Sequence, residues 1–324
     1  MAMEVVAGID IGGTNTVIGL VTREGICLRQ QSMYTRVEGN FTDYINKVVE
    51  IVGQLMAEKD DNLTLVGIGV GAPNGSYSLG AIVDAPNLVW KGVLPVCKDL
   101  TERLRVPSAL TNDANAAALG EMLFGAAKGL KHFIVVTLGT GLGSGIVVDG
   151  KLLVGSDGFA GELGHTTVKP WGRQCGCGKK GCLETYVSAP GIRRTAFKLL
   201  ADSNSQSILR TYPFEQLTAK CITQAALKGD KVAREAFEYT GKILGMKLAD
   251  TVAVLSPEAI ILFGGLSNAG ELIFEPTKRH LEENLFSVFK NKVKLIPSGL
   301  KDENAAVLGA AALIWKELEG KIQP

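Results

Sequence analysis

A pattern near the start of the chain returns in its middle, and that limits the folds open to it. VVAGIDI (5–11) reads as a buried strand, with TVIGLVT (16–22) and GICLRQQ (25–31) as antiparallel neighbours. FIVVTLGTGLGSGIVVDGKLLVG (133–155) is again strand, glycine turn, strand, turn, strand. Setting Asp10 against Thr137 lays Gly12 on Gly139. A weak repeat of this kind predicts two related α/β lobes. The length of 324 residues agrees with two domains.

Other segments fill in both lobes. FTDYINKVVEIVGQLMAEKD (41–60) has apolar residues at helical spacing, with Thr42 as N-cap. LVGIGVGAP (65–73) is a buried strand. SALTND (108–113) is a short strand leading into a helix, ANAAALGEMLFGAAKG (114–129), rich in strong helix formers. Helices are expected over 191–201, 217–228 and 231–254. AIILFGG (259–265) is a buried strand ending in glycines, and NAAVLGAAALIWKEL (304–318) is a closing helix. The expected lobe boundary falls at Asn112–Asp113. Residues 1–112 form one lobe, with helix 304–318 packing back on it, and 113–303 form the other.

Composition removes several classes. Hydrophobic residues make up 46% and charged residues 21%, which supports a large core and excludes disorder. A net charge of +1 offers no basic field for nucleic acid. The opening MAMEVVAGIDIGGTN has no basic stretch ahead of its short apolar run, so no signal peptide is expected. No apolar run approaches the ~18 residues of a membrane span. Cys27, Cys97 and Cys221 are scattered, as free thiols in a reducing cytoplasm would be.

The two glycine turns are the first candidate site. DIGGTN (10–15) is not a Walker A loop, because no Gly-Lys-Ser/Thr follows. LGTGLGSG (138–145) is not a dinucleotide fingerprint, because a strand follows it. Glycine between two strands suits a hairpin whose backbone N–H groups face an anion. Thr14 and Thr140 add hydroxyl donors, and Asp10 can hold magnesium through water. Each turn alone also reads as an ordinary hairpin. GGLSNAG (264–270) follows a buried strand, where open α/β sheets bind ligands, although it also reads as a plain loop.

The second candidate is GELGHTTVKPWGRQCGCGKKGCLE (161–184), which gathers three of the six cysteines and one of the three histidines. His165, Cys175, Cys177 and Cys182 supply three thiolates and an imidazole, a closed tetrahedral shell suited to structural zinc. A disulfide with a spare thiol is the alternative, and Cys-x-Cys is awkward for a bridge. Glu162 and Glu184 are too hard to compete for such an ion and are free to bind hydroxyl groups. The third candidate is Asn112–Asp113, between a strand and a helix. Asp113 reads either as a helix N-cap or as a general base.

Taken in order, DIGGTN, NDANAAALGE (112–121), LGTGLGSG, GELGH (161–165) and CGCGKKGCLE (175–184) resemble the ROK family of sugar kinases and repressors over nearly the whole chain. The resemblance implies an α/β, two-lobed actin-like (ribonuclease-H-like) ATPase fold with the active site in the cleft between lobes. It implies ATP with Mg²⁺, held by Asp10, Gly12, Gly13, Thr14, Asn15, Gly139, Thr140 and Gly141, with Gly264 and Gly265 near the adenosine. It makes Asp113 the catalytic base and Asn112, Glu162, His165 and Glu184 sugar ligands, with His165 also on zinc. Within the family the likeness is greatest to bacterial glucokinases, helped by APNLVW (85–90), which adds Asn87 to the sugar residues. One departure stands out: in GAPNGS (71–76), Asn74 is an extra residue beside the sugar pocket.

The expected activity is therefore ATP-dependent phosphorylation of a hexose 6-hydroxyl, glucose before N-acetylmannosamine, fructose, allose or N-acetylglucosamine. The expected partners are the sugar and ATP, not nucleic acid or membrane. A cytoplasmic homodimer or homotetramer follows from the resemblance. A sugar-responsive repressor is the competing class. Such repressors carry an N-terminal helix-turn-helix domain, whereas only MAME precedes the first strand here.

Overall fold

The computed structural model describes residues 2–36, 39–58, 62–300 and 304–320. The first strands are β1 (Met3–Ile11), β2 (Asn15–Thr22) and β3 (Cys27–Tyr34), followed by helix α1 (Phe41–Ala57). Asn40 caps α1, not Thr42: its side chain accepts from Asp43 N, and the Asp43 carboxylate accepts from Asn40 N. This reciprocal pair satisfies two backbone donors at once, which a lone threonine inside the first turn cannot do. The expected helical stretch 41–60 ends at Ala57, and residues 59–60 lie outside those described. Next come β4 (Leu63–Gly71), the short strands β5 (Gly75–Ser76), β6 (Ala81–Val83) and β7 (Val93–Leu94), α2 (Val96–Leu104) and β8 (Ser108–Thr111).

The helix expected at 114–129 is α3 (Asp113–Leu123). After it stand β9 (Phe133–Leu138), β10 (Leu142–Val148) and β11 (Lys151–Leu152). The later elements are α4 (Ala189–Asp202), α5 (Ala219–Leu227), α6 (Lys231–Leu255), β12 (Ala259–Phe263), α7 (Glu271–Asn284), β13 (Lys294–Pro297) and α8 (Ala305–Leu318). No helix among the described residues is long and apolar enough to cross a membrane.

Two five-stranded sheets have the same plan. Their orders are β3-β2-β1-β4-β8 and β11-β10-β9-β12-β13, and β5-β6-β7 form a small third sheet. β1 runs antiparallel to β2 and parallel to β4, while β12 runs parallel to both β9 and β13. The weak sequence repeat thus corresponds to a repeated topology, with Asp10 and Thr137 each near the end of the strand that opens its sheet.

The contacts group the chain into two compact units: 1–130 with 145–160 and 298–324, and 131–144 with 161–297. The first change of unit comes after Leu130, later than the boundary expected at Asn112–Asp113. The reason is α3, whose residues Ala114–Glu121 are all buried and which packs on α8. Gly120 and Gly309 bring these two helices close: a Cβ on Gly120 would stand 3.0 Å from Gly309 Cα.

In the first unit, side-chain alternation sends Val5, Ala7, Ile9 and Ile11 into one core with Tyr44, Ile45, Val48 and Leu110. On the other face, Gly8 and Gly69 let the α8 backbone approach; any Cβ there would run into the carbonyls of Val307 and Ala310. The glycines inside these strands are therefore helix seats, a use distinct from turns. In the second unit α6 packs along α7 and against α4 and α5.

Candidate functional site

The first unit holds Asp10, Gly12, Gly13, Thr14, Asn15, Asn87, Asn112 and Asp113. Asp10 lies in β1, paired with Val17 and Gly71. The turn beyond it closes through Gly12 N–H donating to Asn15 O at 2.9 Å. Thr14 and Asn15 are exposed at its tip. Gly13 packs on the loop that carries Asn87, where a Cβ would be 3.0 Å from both Asn87 Cβ and Asn87 O. That loop is wrapped around Lys91, whose ammonium donates to Ala85 O and Leu88 O at 2.9 Å and to Pro86 O at 3.4 Å. Sequence reading missed Lys91, because an exposed lysine beside a tryptophan carries no signal of its own.

Asn112, not Asp113, is the N-cap of α3, accepting from Asn115 N at 2.7 Å. Asp113 stands at the next position and accepts the adjacent Ala114 N–H, at 2.9 Å. Its side chain reaches solvent, yet the protein around it makes charging costly and pushes its carboxyl above the usual range. Burial, and then the charge of Asp113, raise Asp10 to about 6. Two carboxyl groups that feel each other in this way form an electrostatic unit suited to a cation and a proton in transit.

The second unit holds Gly139, Thr140, Gly141, Glu162, His165, Cys175, Cys177, Cys182, Glu184, Gly264 and Gly265. Its turn closes by Gly139 N–H donating to Gly141 O at 3.0 Å, and Thr137 Oγ1 accepts from Gly143 N at 3.1 Å. Gly139 faces open space, whereas a Cβ on Gly141 would lie 2.6 Å from Glu184 Oε2. The same Oε2 accepts Leu142 N–H at 3.0 Å. Glu184 therefore braces the turn, a contact that no spacing rule announces. Gly264 seats against Leu138, and Leu266 N–H donates to Leu138 O at 3.0 Å, so the glycines after β12 lie beside this turn.

All six cysteines are free thiols. The ligand atoms of His165, Cys175, Cys177 and Cys182 lie within 4.8 Å of one another. Cys177 and Cys182 sulfurs are 3.7 Å apart, and Cys175 Sγ is 3.7 Å from His165 Nδ1. A tetrahedral shell with metal–sulfur bonds of about 2.3 Å sets sulfurs about 3.8 Å apart, so the residues present fit a metal ion. Burial raises Cys175 and pushes Cys182 up to about 12, while the Lys179 N–H lowers Cys177. Without a cation the cluster therefore keeps protons that ion binding would release. His165 turns its other nitrogen, Nε2, to within 3.8 Å of Glu162 Oε2. Arg173, also missed from sequence, donates to Thr185 O, Gly191 O and Thr195 Oγ1 and ties this segment to α4.

The profile of the ROK family matches residues 6–317. The chain belongs to the ROK family. This ROK chain is 35% identical over 316 residues to a glucokinase from Thermotoga maritima, covering 97% of this chain and 98% of that one. It is 33% identical to a xylose repressor from Caldicellulosiruptor bescii, covering 78% of this chain and 63% of the repressor. Among solved structures it is similar to a ROK family glucokinase from Streptomyces griseus in complex with glucose and AMPPNP. That likeness has a TM-score of 0.78, 32% identity, and coverage of 95% and 98%. The ROK chain has the two-lobed actin-like ATPase fold of these kinases, and it repeats one five-stranded sheet plan.

Proposed function

We propose that this ROK protein is an ATP-dependent hexose kinase that prefers glucose and forms glucose 6-phosphate. The observation that carries the reading is the division of labour at the start of α3. Asn112 caps the helix, so the Asp113 carboxylate is not needed for capping and is charge-coupled to Asp10 at the first glycine turn. Phosphoryl transfer asks mainly for positioning and charge neutralisation. Asp113 accepts the proton of the sugar's primary hydroxyl, and Asp10 holds the water shell of the magnesium that accompanies ATP. The glycine turns at Gly12, Gly13, Gly139 and Gly141, with Thr14 and Thr140, face the phosphates. Gly264 and Gly265 lie near the adenosine. Asn87, Asn112, Glu162, His165 and Glu184 hold sugar hydroxyls.

Zinc would be held by His165, Cys175, Cys177 and Cys182, supplying rigidity and no reactive water because the shell is closed. His165 offers Nδ1 to the ion and leaves Nε2 for a hydroxyl.

ADP release measured across a hexose panel tests the reading. Glucose is expected to lead in kcat/KM by about tenfold, which is about 1.4 kcal/mol of discrimination. A lead for N-acetylmannosamine or allose would refute the glucose assignment and leave the kinase. No ADP release with any hexose would refute the kinase itself.

A further inference from the structure

Beneath the first glycine turn runs a line of three buried hydroxyls. Thr35 Oγ1 donates to Gly12 O at 2.7 Å. Thr35 Oγ1 and Thr16 Oγ1 are 3.0 Å apart, and Thr16 Oγ1 and Tyr44 Oη are 2.9 Å apart. Thr16 and Tyr44 are fully buried and Thr35 is nearly so. The direction of the line follows from chemistry. A carbonyl can only accept, so the Thr35 proton is committed to Gly12. Thr35 must then accept from Thr16, and Thr16 from Tyr44. Burial pushes the Tyr44 phenol far up, so it keeps the proton with which the line starts.

We propose that the Tyr44–Thr16–Thr35 line is a positioning device that aims the Gly12–Gly13 peptide at a nucleotide phosphate. Gly12 O and Gly13 N–H belong to one peptide unit, and no peptide bond among the described residues is cis. In a trans peptide the two point in opposite directions. With the carbonyl drawn down onto Thr35, the Gly13 N–H points away from the buried line. Each hydrogen bond polarises the next, so the peptide becomes a better donor as well as a fixed one. Thr35 grips the turn a second time, because its N–H donates to Thr14 O at 2.8 Å. The device also reaches the loop carrying Asn87: Trp90 lies 4.8 Å from the Tyr44 ring and 5.6 Å from Phe41, centroid to centroid.

The inference rests on the reading that this turn faces phosphate, and the test separates the two. Affinity for a non-hydrolysable ATP analogue and for adenosine is measured by calorimetry on Thr35→Val, Thr35→Ser, Tyr44→Phe and Thr14→Ala. Thr35→Val should weaken the analogue by about two- to tenfold, the range for one uncharged hydrogen bond. Adenosine affinity and the KM for sugar should stay within about twofold, less than that range. Tyr44→Phe, which keeps the ring on Trp90, should act in the same direction but less. Thr35→Ser should restore wild-type binding. If Thr35→Val fails to fold, Tyr44→Phe against wild type decides. Lower melting temperatures with unchanged analogue affinity would overturn the proposal. If Thr14→Ala also leaves affinity unchanged, the phosphate reading of the turn falls instead.

Discussion

The turn between β1 and β2 and the turn between β9 and β10 sit at matching places in two sheets of one strand order, yet they are held by unlike braces. The first rests on buried neutral hydroxyls supplied by β2, by the residue after β3 and by α1. The second rests on the Glu184 carboxylate, two residues beyond Cys182 of the histidine–cysteine cluster. Matching positions in the strands also differ: Asp10 is a half-buried acid, whereas the Thr137 hydroxyl accepts from Gly143 N–H. The two turns share a strand order, while the side chains beneath them differ. Only the second turn should therefore depend on an ion held by His165, Cys175, Cys177 and Cys182.

The largest expected effect lies outside both braces and isolates the chemistry. Asp113→Asn should lower kcat by at least about a hundredfold, as removal of a general base does. The melting temperature should not fall, because Asn112 keeps the cap and a costly charge is removed, and the KM for ATP should hold, because the backbone of both turns is unchanged. A folded variant within a few-fold of wild-type kcat would leave the mechanism without its base.

Metal removal should break the symmetry next. Elemental analysis should find about one zinc per chain, as a single closed shell requires. Cys177→Ser should lose the metal, lower the melting temperature and weaken ATP analogue binding by more than about tenfold, since a structural ion contributes folding energy directly. Thr35→Val should keep its zinc. If both variants lost zinc, or an active reduced preparation held none, the contrast between the turns would collapse.

Glu184 sharpens the comparison at one residue. Glu184→Ala should raise KM for both ATP and sugar, each by roughly tenfold, the cost expected when a charged hydrogen-bonding group is lost. Glu184→Gln still accepts Leu142 N–H, so it should restore the KM for ATP while sugar binding stays weak. Equal effects of Gln and Ala on ATP would show that the carboxylate is no brace.

The smallest effect is one of pH. Asp10 is raised to about 6, so the folded state holds its proton more tightly than the unfolded chain does. Its contribution to stability is therefore greatest below about 4, where both states are protonated, and is lost as pH rises towards 6. The proposed role of Asp10 at magnesium needs the ionised form, so activity should move the other way, falling as pH drops towards about 6. Asp10→Asn should flatten the stability slope between these limits, measured by denaturant melts. An unchanged slope would remove Asp10 from the titration.

What the sequence determined by itself was chiefly local. The spacing of His165, Cys175, Cys177 and Cys182 specifies a donor set within one short segment, and the structure brings those four side chains together. The strands around Gly12 and Gly139 were readable because apolar runs broken by glycine have few other meanings. Neighbouring side chains compete for the same helix start at small energy differences, so the choice of Asn112 over Asp113, and of Asn40 over Thr42, appeared only in three dimensions. Short strands such as β5 to β7 carry too little periodicity to be read, and helices α2 and α7 were missed because the first spans nine residues and the second contains Pro276. The packing of α3 on α8 joined residues nearly two hundred positions apart and moved the division of the chain to Leu130. Thr16, Thr35 and Tyr44 are unremarkable residues in sequence. Tertiary structure alone aligned their hydroxyls, because a buried hydroxyl must find a partner and these three found one another beneath Gly12.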